Sequence, residues 1–194
     1  METIILASAS PRRQEYFKMM GLPFVAIPAE IDESSFTQKN PEKLTAELAV
    51  KKVEKALELA AQPPEWICGA DTVIALDDEI LGKPKNRNEA AEMLRKLAGR
   101  EHSVITSLAL YNGKVRKIDC RTSVCAVFFS SLNDEEIEWY LDTNEWQGAA
   151  GAYRIQGLAS CFISGINGSP DTVAGLPLNV FYAMLIDNGY LYRP

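Results

Sequence analysis

Ile4-Ile5-Leu6-Ala7-Ser8-Ala9-Ser10-Pro11-Arg12-Arg13 reads as a short apolar strand that runs straight into a helix. Ser10 suits the N-cap, and Pro11 suits the first helical position, where a missing N–H costs nothing. Arg12 and Arg13 then fall in the first turn. Cations at the positive end of a helix dipole run against local preference, so the pattern asks for an anion nearby. Free backbone N–H groups, the Ser8 and Ser10 hydroxyls and two guanidinium forks suit a phosphate chain. A capped surface helix with its arginines paired to neighbouring acids is the plainer alternative.

Working outward, the pattern predicts a strand over 3–8, a helix over 11–20 stopped by Gly21, and a strand over 22–27. An acidic turn, Glu30-Ile31-Asp32-Glu33, follows. Asn40-Pro41-Glu42 opens a long helix with Leu44, Leu48, Val53 and Leu57 near helical spacing, closed by Gln62-Pro63-Pro64. Trp66-Ile67-Cys68-Gly69-Ala70 is a compact apolar run that ends at Asp71-Thr72, with Val73-Ile74-Ala75-Leu76 beyond it. Asp77-Asp78 turns the chain, Gly82-Lys83-Pro84 forms a loop, and a helix covers 88–98.

The second half reads as hairpins. Strands over 102–111 and 115–129 flank an Asn112-Gly113 turn, and Asn133 caps a helix over 134–141. Residues 149–157 are irregular, Cys161-Phe162-Ile163 is a short strand before a turn at Asn167-Gly168, and Gly175-Leu176-Pro177 starts the last helix, which runs to Asn188. Alternating strands and helices followed by hairpins predict an α/β protein with a mixed sheet.

Composition narrows the function classes. The chain has 194 residues, 47% of them hydrophobic and 24% charged, enough for one sizeable domain or two lobes sharing a core. A net charge of −6 argues against a nucleic-acid polymer as partner, yet leaves room for a small anion in a locally basic pocket. No signal-peptide pattern and no apolar run of membrane-spanning length is seen, so a cytoplasmic protein without membrane contact is expected. The four cysteines, Cys68, Cys120, Cys125 and Cys161, lack paired spacing and read as buried thiols. His102, the sole histidine, reads as structural. GxxxxGK[ST], GxGxxG and Gly-x-Ser-x-Gly motifs are absent.

Few groups remain for chemistry. Asp71 is expected at the C-terminal end of an apolar strand, where open α/β sheets place functional groups. Glu33 alone reads as a solvated acid, but with Asp71 it makes a pair of hard oxygen ligands for a magnesium ion beside phosphates. Lys83 sits on a rigid loop and can offset phosphate charge. Lys52, inside the long helix, reads most simply as a free surface lysine.

Taken in order, several segments resemble the Maf family of septum-formation-inhibitor-like nucleotide pyrophosphatases. They are Leu6-Ala7-Ser8-Ala9-Ser10-Pro11-Arg12-Arg13, Ile31-Asp32-Glu33, Gly69-Ala70-Asp71-Thr72-Val73 and Ile80-Leu81-Gly82-Lys83-Pro84, then residues 151–157 and 173–177. The resemblance spans nearly the whole chain. It implies an α/β fold with a mixed, elongated, twisted sheet flanked by helices. Residues 1–194 would form a single domain with two lobes around a central cleft, related to the inosine triphosphatases and often dimeric.

The implied activity is hydrolysis of a nucleoside triphosphate to the monophosphate and pyrophosphate, with a divalent cation, Mg²⁺ or Mn²⁺. Modified or excess nucleotides would be removed this way, with a link to cell division in some members. By motif match, Asp71 is the catalytic acceptor. Ser8, Arg13, Lys52 and Lys83 line the triphosphate, and Glu33 joins Asp71 near the metal. Arg12, Thr72 and Gln156 match the positions tied to substrate choice, and their SPRR, ADT and IQG settings resemble the dTTP/UTP branch. A branch acting on 7-methyl-GTP tends to carry tryptophan at the first arginine. Besides a 7-methyl-GTP or inosine nucleotide pyrophosphatase, a non-catalytic nucleotide-binding regulator of division is the alternative of a different class. The chain departs from the family at Gly148-Ala149, where many relatives have a lysine, at Ser169-Pro170-Asp171-Thr172, and at Ser107, which replaces a common glycine.

Overall fold

A computed structural model describes residues 1–32, 36–62 and 64–193. In chain order the elements are β1 (Ile4–Leu6), α1 (Pro11–Met19), β2 (Phe24–Ala26), α2 (Pro41–Leu59), β3 (Trp66–Leu76), β4 (Glu79–Leu81) and α3 (Arg87–Leu97). There follow β5 (Glu101–Asn112), β6 (Lys117–Phe129), α4 (Asp134–Asp142), two 3₁₀ turns at Ala150–Ala152 and Leu158–Phe162, β7 (Ile163–Asn167), α5 (Pro170–Ala174) and α6 (Leu178–Asp187). The strands form one seven-stranded sheet in the order β2-β1-β3-β5-β6-β7, with β4 paired to β3. β1 runs parallel to β2 and β3, whereas β3–β4 and β6–β7 are antiparallel, so the sheet is mixed as expected. No helix among the described residues is long and apolar enough to cross a membrane.

The chain divides into two compact units. The first holds Met1–Asp71, Thr106–Ser123 and Gly175–Pro194. Its sheet has two apolar faces, and strand alternation assigns them. Ile4, Leu6, Trp66, Cys68, Leu108 and Leu110 pack with Phe17 of α1 and with Phe181, Met184 and Leu185 of α6. Ala7, Ile67 and Ala109 point the other way and pack with Ala49, Val53 and Ala56 of α2. Trp66, Phe17 and Phe181 are fully buried, and each such side chain contributes about 2 kcal/mol or more through area removed from water.

Local chemistry sets the helix bounds. Pro11 occupies the first helical position of α1, and Gly21, at φ +65°, ends it. Asn40 caps α2 by accepting from the Lys43 N–H at 2.9 Å. Ser10 holds the N-cap position of α1, but its side chain makes no capping bond, contrary to the sequence reading.

The second unit holds Thr72–Ile105 and Val124–Ala174. Its core gathers Ile74 and Leu76 of β3, Leu94 and Leu97 of α3, Val127 and Phe129 of β6, and Tyr140 and Leu141 of α4. Asn133 and Glu136 complete a capping box at α4. Arg87 ties α3 to Glu138 and Asp142 of α4, and Arg95 to Asp134. His102 is buried, as expected of a structural residue, with Nε2 2.8 Å from the Tyr153 hydroxyl. Burial lowers its pKa to about 4, so the ring stays neutral.

Several expectations need correction. β3 does not stop at Asp71: the strand is continuous over Trp66–Leu76, which puts Asp71 in its middle. The two polar residues do not break the strand, because the Asp71 carboxylate has a partner described below. Asn112-Gly113 is no two-residue turn. Asn112 ends β5 with its amide donating to the Asn188 carbonyl, and the turn spans 113–116 with Arg116 at φ +54°. Cys161 and Phe162 belong to a 3₁₀ turn rather than a strand, and α5 was not foreseen. Of the cysteines, Cys68 and Cys125 are buried but Cys120 and Cys161 are exposed.

Candidate active site

The centre of the first unit's α2-facing sheet surface is built from small residues. Along β3, Ile67, Gly69 and Asp71 share one face by strand alternation, the face that α2 covers. A Cβ on Gly69 would lie 2.5 Å from the Ala49 carbonyl oxygen and 2.8 Å from Val53 Cγ2. Gly69 therefore lets the helix backbone lie directly against the strand. One turn of α2 from Ala49 brings Lys52 level with Asp71, and Lys52 Nζ donates to Asp71 Oδ1 at 2.5 Å. Both side chains are buried, with exposures of 10% and 7%. Lys52 is thus no free surface lysine. It is held beside the one carboxylate that the motif match makes the catalytic acceptor.

The strand-to-helix junction supplies the next group. The parallel register Leu6↔Cys68 brings the segment after β1 alongside the approach to Asp71. Ser8 is buried there, and its Oγ accepts from the Ser10 N–H at 3.2 Å and from Arg13 Nη1 at 3.1 Å. Arg13 Nε donates to the Gly175 carbonyl at 2.8 Å, tying α1 to the loop before α6. The guanidinium is therefore braced at a helix N-terminus. The Gly175 contact could not be read from sequence, because 162 residues separate the partners. Arg12 lies half-buried in the same first turn.

Three other expected residues belong to the second unit. Thr72 follows Asp71 on β3 and is half-buried. Lys83 is exposed in the loop after β4, where the Gly151 N–H donates to the Gly82 carbonyl at 2.9 Å. Gly151 has φ +62°, and a Cβ there would overlap the end of the Ile74 side chain. Gln156 is exposed, in a segment secured by Arg154, which donates to the Gln147 carbonyl, and by Glu145, which accepts from the Leu158 N–H at 2.8 Å. Glu33 lies outside the described residues. The structure thus joins Ser8 to Arg13 and Lys52 to Asp71 by hydrogen bonds.

Other reactive groups are set up differently. Full burial pushes the Cys68 thiol up to about 12, so it stays protonated and is no nucleophile. Burial likewise raises the Tyr153 phenol. Among the described residues, no three His, Cys, Asp or Glu side chains are grouped so as to hold a metal. Magnesium needs no such cage, since it binds through one or two carboxylates together with substrate phosphates. A hard carboxylate at Asp71, flanked by the cationic Lys52, suits that mode of binding.

The chain is similar to known proteins in sequence and in fold. Residues 3–188 match the family described as Maf-like protein. A Pyrococcus abyssi protein named dTTP/UTP pyrophosphatase is 44% identical over 193 residues, covering 98% of each chain. A Symbiobacterium thermophilum protein of the same name is 42% identical over 190 residues, covering 98% of this chain and 96% of its own. A Treponema denticola protein, again so named, is 41% identical over 95% of this chain and 96% of its own. In fold, the chain is similar to the Staphylococcus aureus Ham1 protein, with a TM-score of 0.53 at 13% identity over 96% of this chain and 99% of the other. Matched over nearly its whole length, the chain belongs to the Maf-like protein family.

Proposed function

We propose that this protein hydrolyses pyrimidine nucleoside triphosphates, dTTP and UTP foremost, between the α and β phosphates. The buried Lys52–Asp71 pair carries this reading. An ion pair buried between α2 and the sheet is weak evidence for stability, and a functional reason for it is the better account. Relatives named dTTP/UTP pyrophosphatase, about two-fifths identical over nearly the full chain, support the choice of substrate.

In the proposed reaction, a water oxygen bonds to the α phosphorus and the bond from that phosphorus to the bridging oxygen breaks. Pyrophosphate leaves with the electron pair, and the proton of the water passes to the Asp71 carboxylate. Lys52 holds that carboxylate in place through its 2.5 Å contact and offsets the charge gathering beside it. Arg13, braced by Ser8 and Gly175, grips phosphate from the N-terminus of α1. Lys83 adds charge to the same task. Asp71 and Glu33 would hold a divalent cation, Mg²⁺ or Mn²⁺, which when bound neutralises the phosphate oxygens. Arg12, Thr72 and Gln156 select the base, and the Gln156 amide offers both a donor and an acceptor to the edge of uracil or thymine.

A panel of UTP, dTTP, CTP, ITP and 7-methyl-GTP with Mg²⁺ or Mn²⁺, read by pyrophosphate release, tests the assignment. UTP and dTTP should turn over fastest. Turnover of 7-methyl-GTP or ITP at least as fast as UTP would refute the base assignment, and release of orthophosphate without pyrophosphate would refute the cleavage site.

A further inference from the structure

Ser107 lies on β5 and is fully buried. Its Oγ is 2.7 Å from Thr45 Oγ1 of α2 and 2.8 Å from Thr122 Oγ1 of β6. Thr45 Oγ1 is also within 3.0 Å of the Pro41 carbonyl and 3.1 Å of the Glu42 carbonyl, both of which only accept. With the Thr45 proton committed to those carbonyls, Ser107 donates to Thr45, and Thr122 donates to Ser107. One directed chain of hydroxyls therefore links helix α2 to two adjacent strands.

The chain acts at a particular place. Thr45, Leu48, Ala49, Lys52, Val53 and Ala56 are the buried residues of α2, and Lys52 lies two turns, about 10 Å, beyond Thr45. Beneath these residues, Gly69, Ile67 and Ala109 meet the helix by packing, which is not directional. The hydrogen bonds at Thr45 are directional. Loss of those bonds removes one restraint on where α2 sits, and a shift of the helix changes the Lys52–Asp71 contact.

We propose that Ser107 is a positioning residue, which through Thr45 and Thr122 sets the height of α2 on the sheet so that Lys52 meets Asp71. The inference rests on the reading of Lys52 and Asp71 as reacting-site groups, and it acts through Lys52 rather than on substrate.

The test compares Ser107→Ala, Thr45→Val, which removes the hydroxyl at nearly constant shape, and Thr45→Ser, which keeps it. Ser107→Ala and Thr45→Val should each lower kcat on UTP about tenfold with a smaller change in KM, while Thr45→Ser stays near the parent. In a Lys52→Gln background, Ser107→Ala should lower the residual turnover no further. Equal losses in both backgrounds, or no loss from either hydroxyl deletion, would overturn the proposal. If Ser107→Ala does not fold, the two Thr45 variants decide it. Should the parent protein leave UTP intact, the proposed function fails separately. The ¹⁵Nζ resonance of Lys52, identified by its loss in Lys52→Gln, then decides the positioning. It should move in Thr45→Val and hold in Thr45→Ser, and an unmoved signal in Thr45→Val would contradict the inference.

Discussion

Nζ of Lys52 lies 2.5 Å from Oδ1 of Asp71, a meeting of α2 and β3 made possible by the bare backbone of Gly69. Removing one partner of such a buried pair strands the other charge in the core, whereas replacing both by apolar groups can be neutral or stabilising. Lys52→Met alone should therefore cost about 3 kcal/mol in urea denaturation. Lys52→Met combined with Asp71→Leu should regain most of that stability and have no activity. A double variant no more stable than Lys52→Met would show that the pair serves stability first.

Gly69→Ala tests the close approach that creates the pair. Its Cβ would sit 2.5 Å from the Ala49 carbonyl, an approach that backbone must relieve by moving. Overpacking of this kind costs about 1–3 kcal/mol, and the displaced helix should carry Lys52 off Asp71. Stability to urea and turnover should both fall. Loss of stability with unchanged kcat would mean that the helix position does not govern the reacting carboxylate.

How much of this was legible in the sequence follows from how local each cause is. Pro11, Gly21 and Asn40 act within their own turns, so α1 and the start of α2 could be placed closely from the sequence. The compact apolar run Trp66-Ile67-Cys68-Gly69-Ala70 likewise marks a buried strand. The end of that strand is not legible locally, because Asp71-Thr72 looks like a boundary until Lys52, 19 residues away, is known to face it. Lys52 itself looked like a surface residue, since the alanines and glycine that bury it come from other elements. The bond from Arg13 to Gly175 and the Ser107 chain are long-range too, and no local pattern announces them. The motif resemblance singles out Asp71, Lys52, Ser8 and Arg13, but the contacts among them come from the fold.

His102 predicts an acid sensitivity unrelated to catalysis. Its pKa is about 4 in the fold, against an ordinary value of 6.5. Between those values the unfolded chain binds the extra proton, so stability falls as pH drops through that window. From pH 7 to pH 4.5 the loss from this group should be about 2 kcal/mol. His102→Gln should flatten the fall in urea-derived stability by that amount. An unchanged pH slope in the variant would show that the buried imidazole is not its source.

Gln156 carries the base selectivity in the proposed reading. Gln156→Ala should lower kcat/KM for UTP about tenfold while moving that for CTP less, since one or two neutral hydrogen bonds are at stake. Parallel kinetics on the two nucleotides check this. Equal losses would assign Gln156 to general binding instead.

The most direct test of the central claim is Asp71→Asn, with UTP hydrolysis and UTP affinity measured on the same preparation. Asparagine keeps the shape of the side chain but cannot take the proton of the attacking water. Pyrophosphate release should fall by about a thousandfold while affinity for UTP is kept. Hydrolysis near the parent rate in Asp71→Asn would contradict the assignment of Asp71 as the proton acceptor.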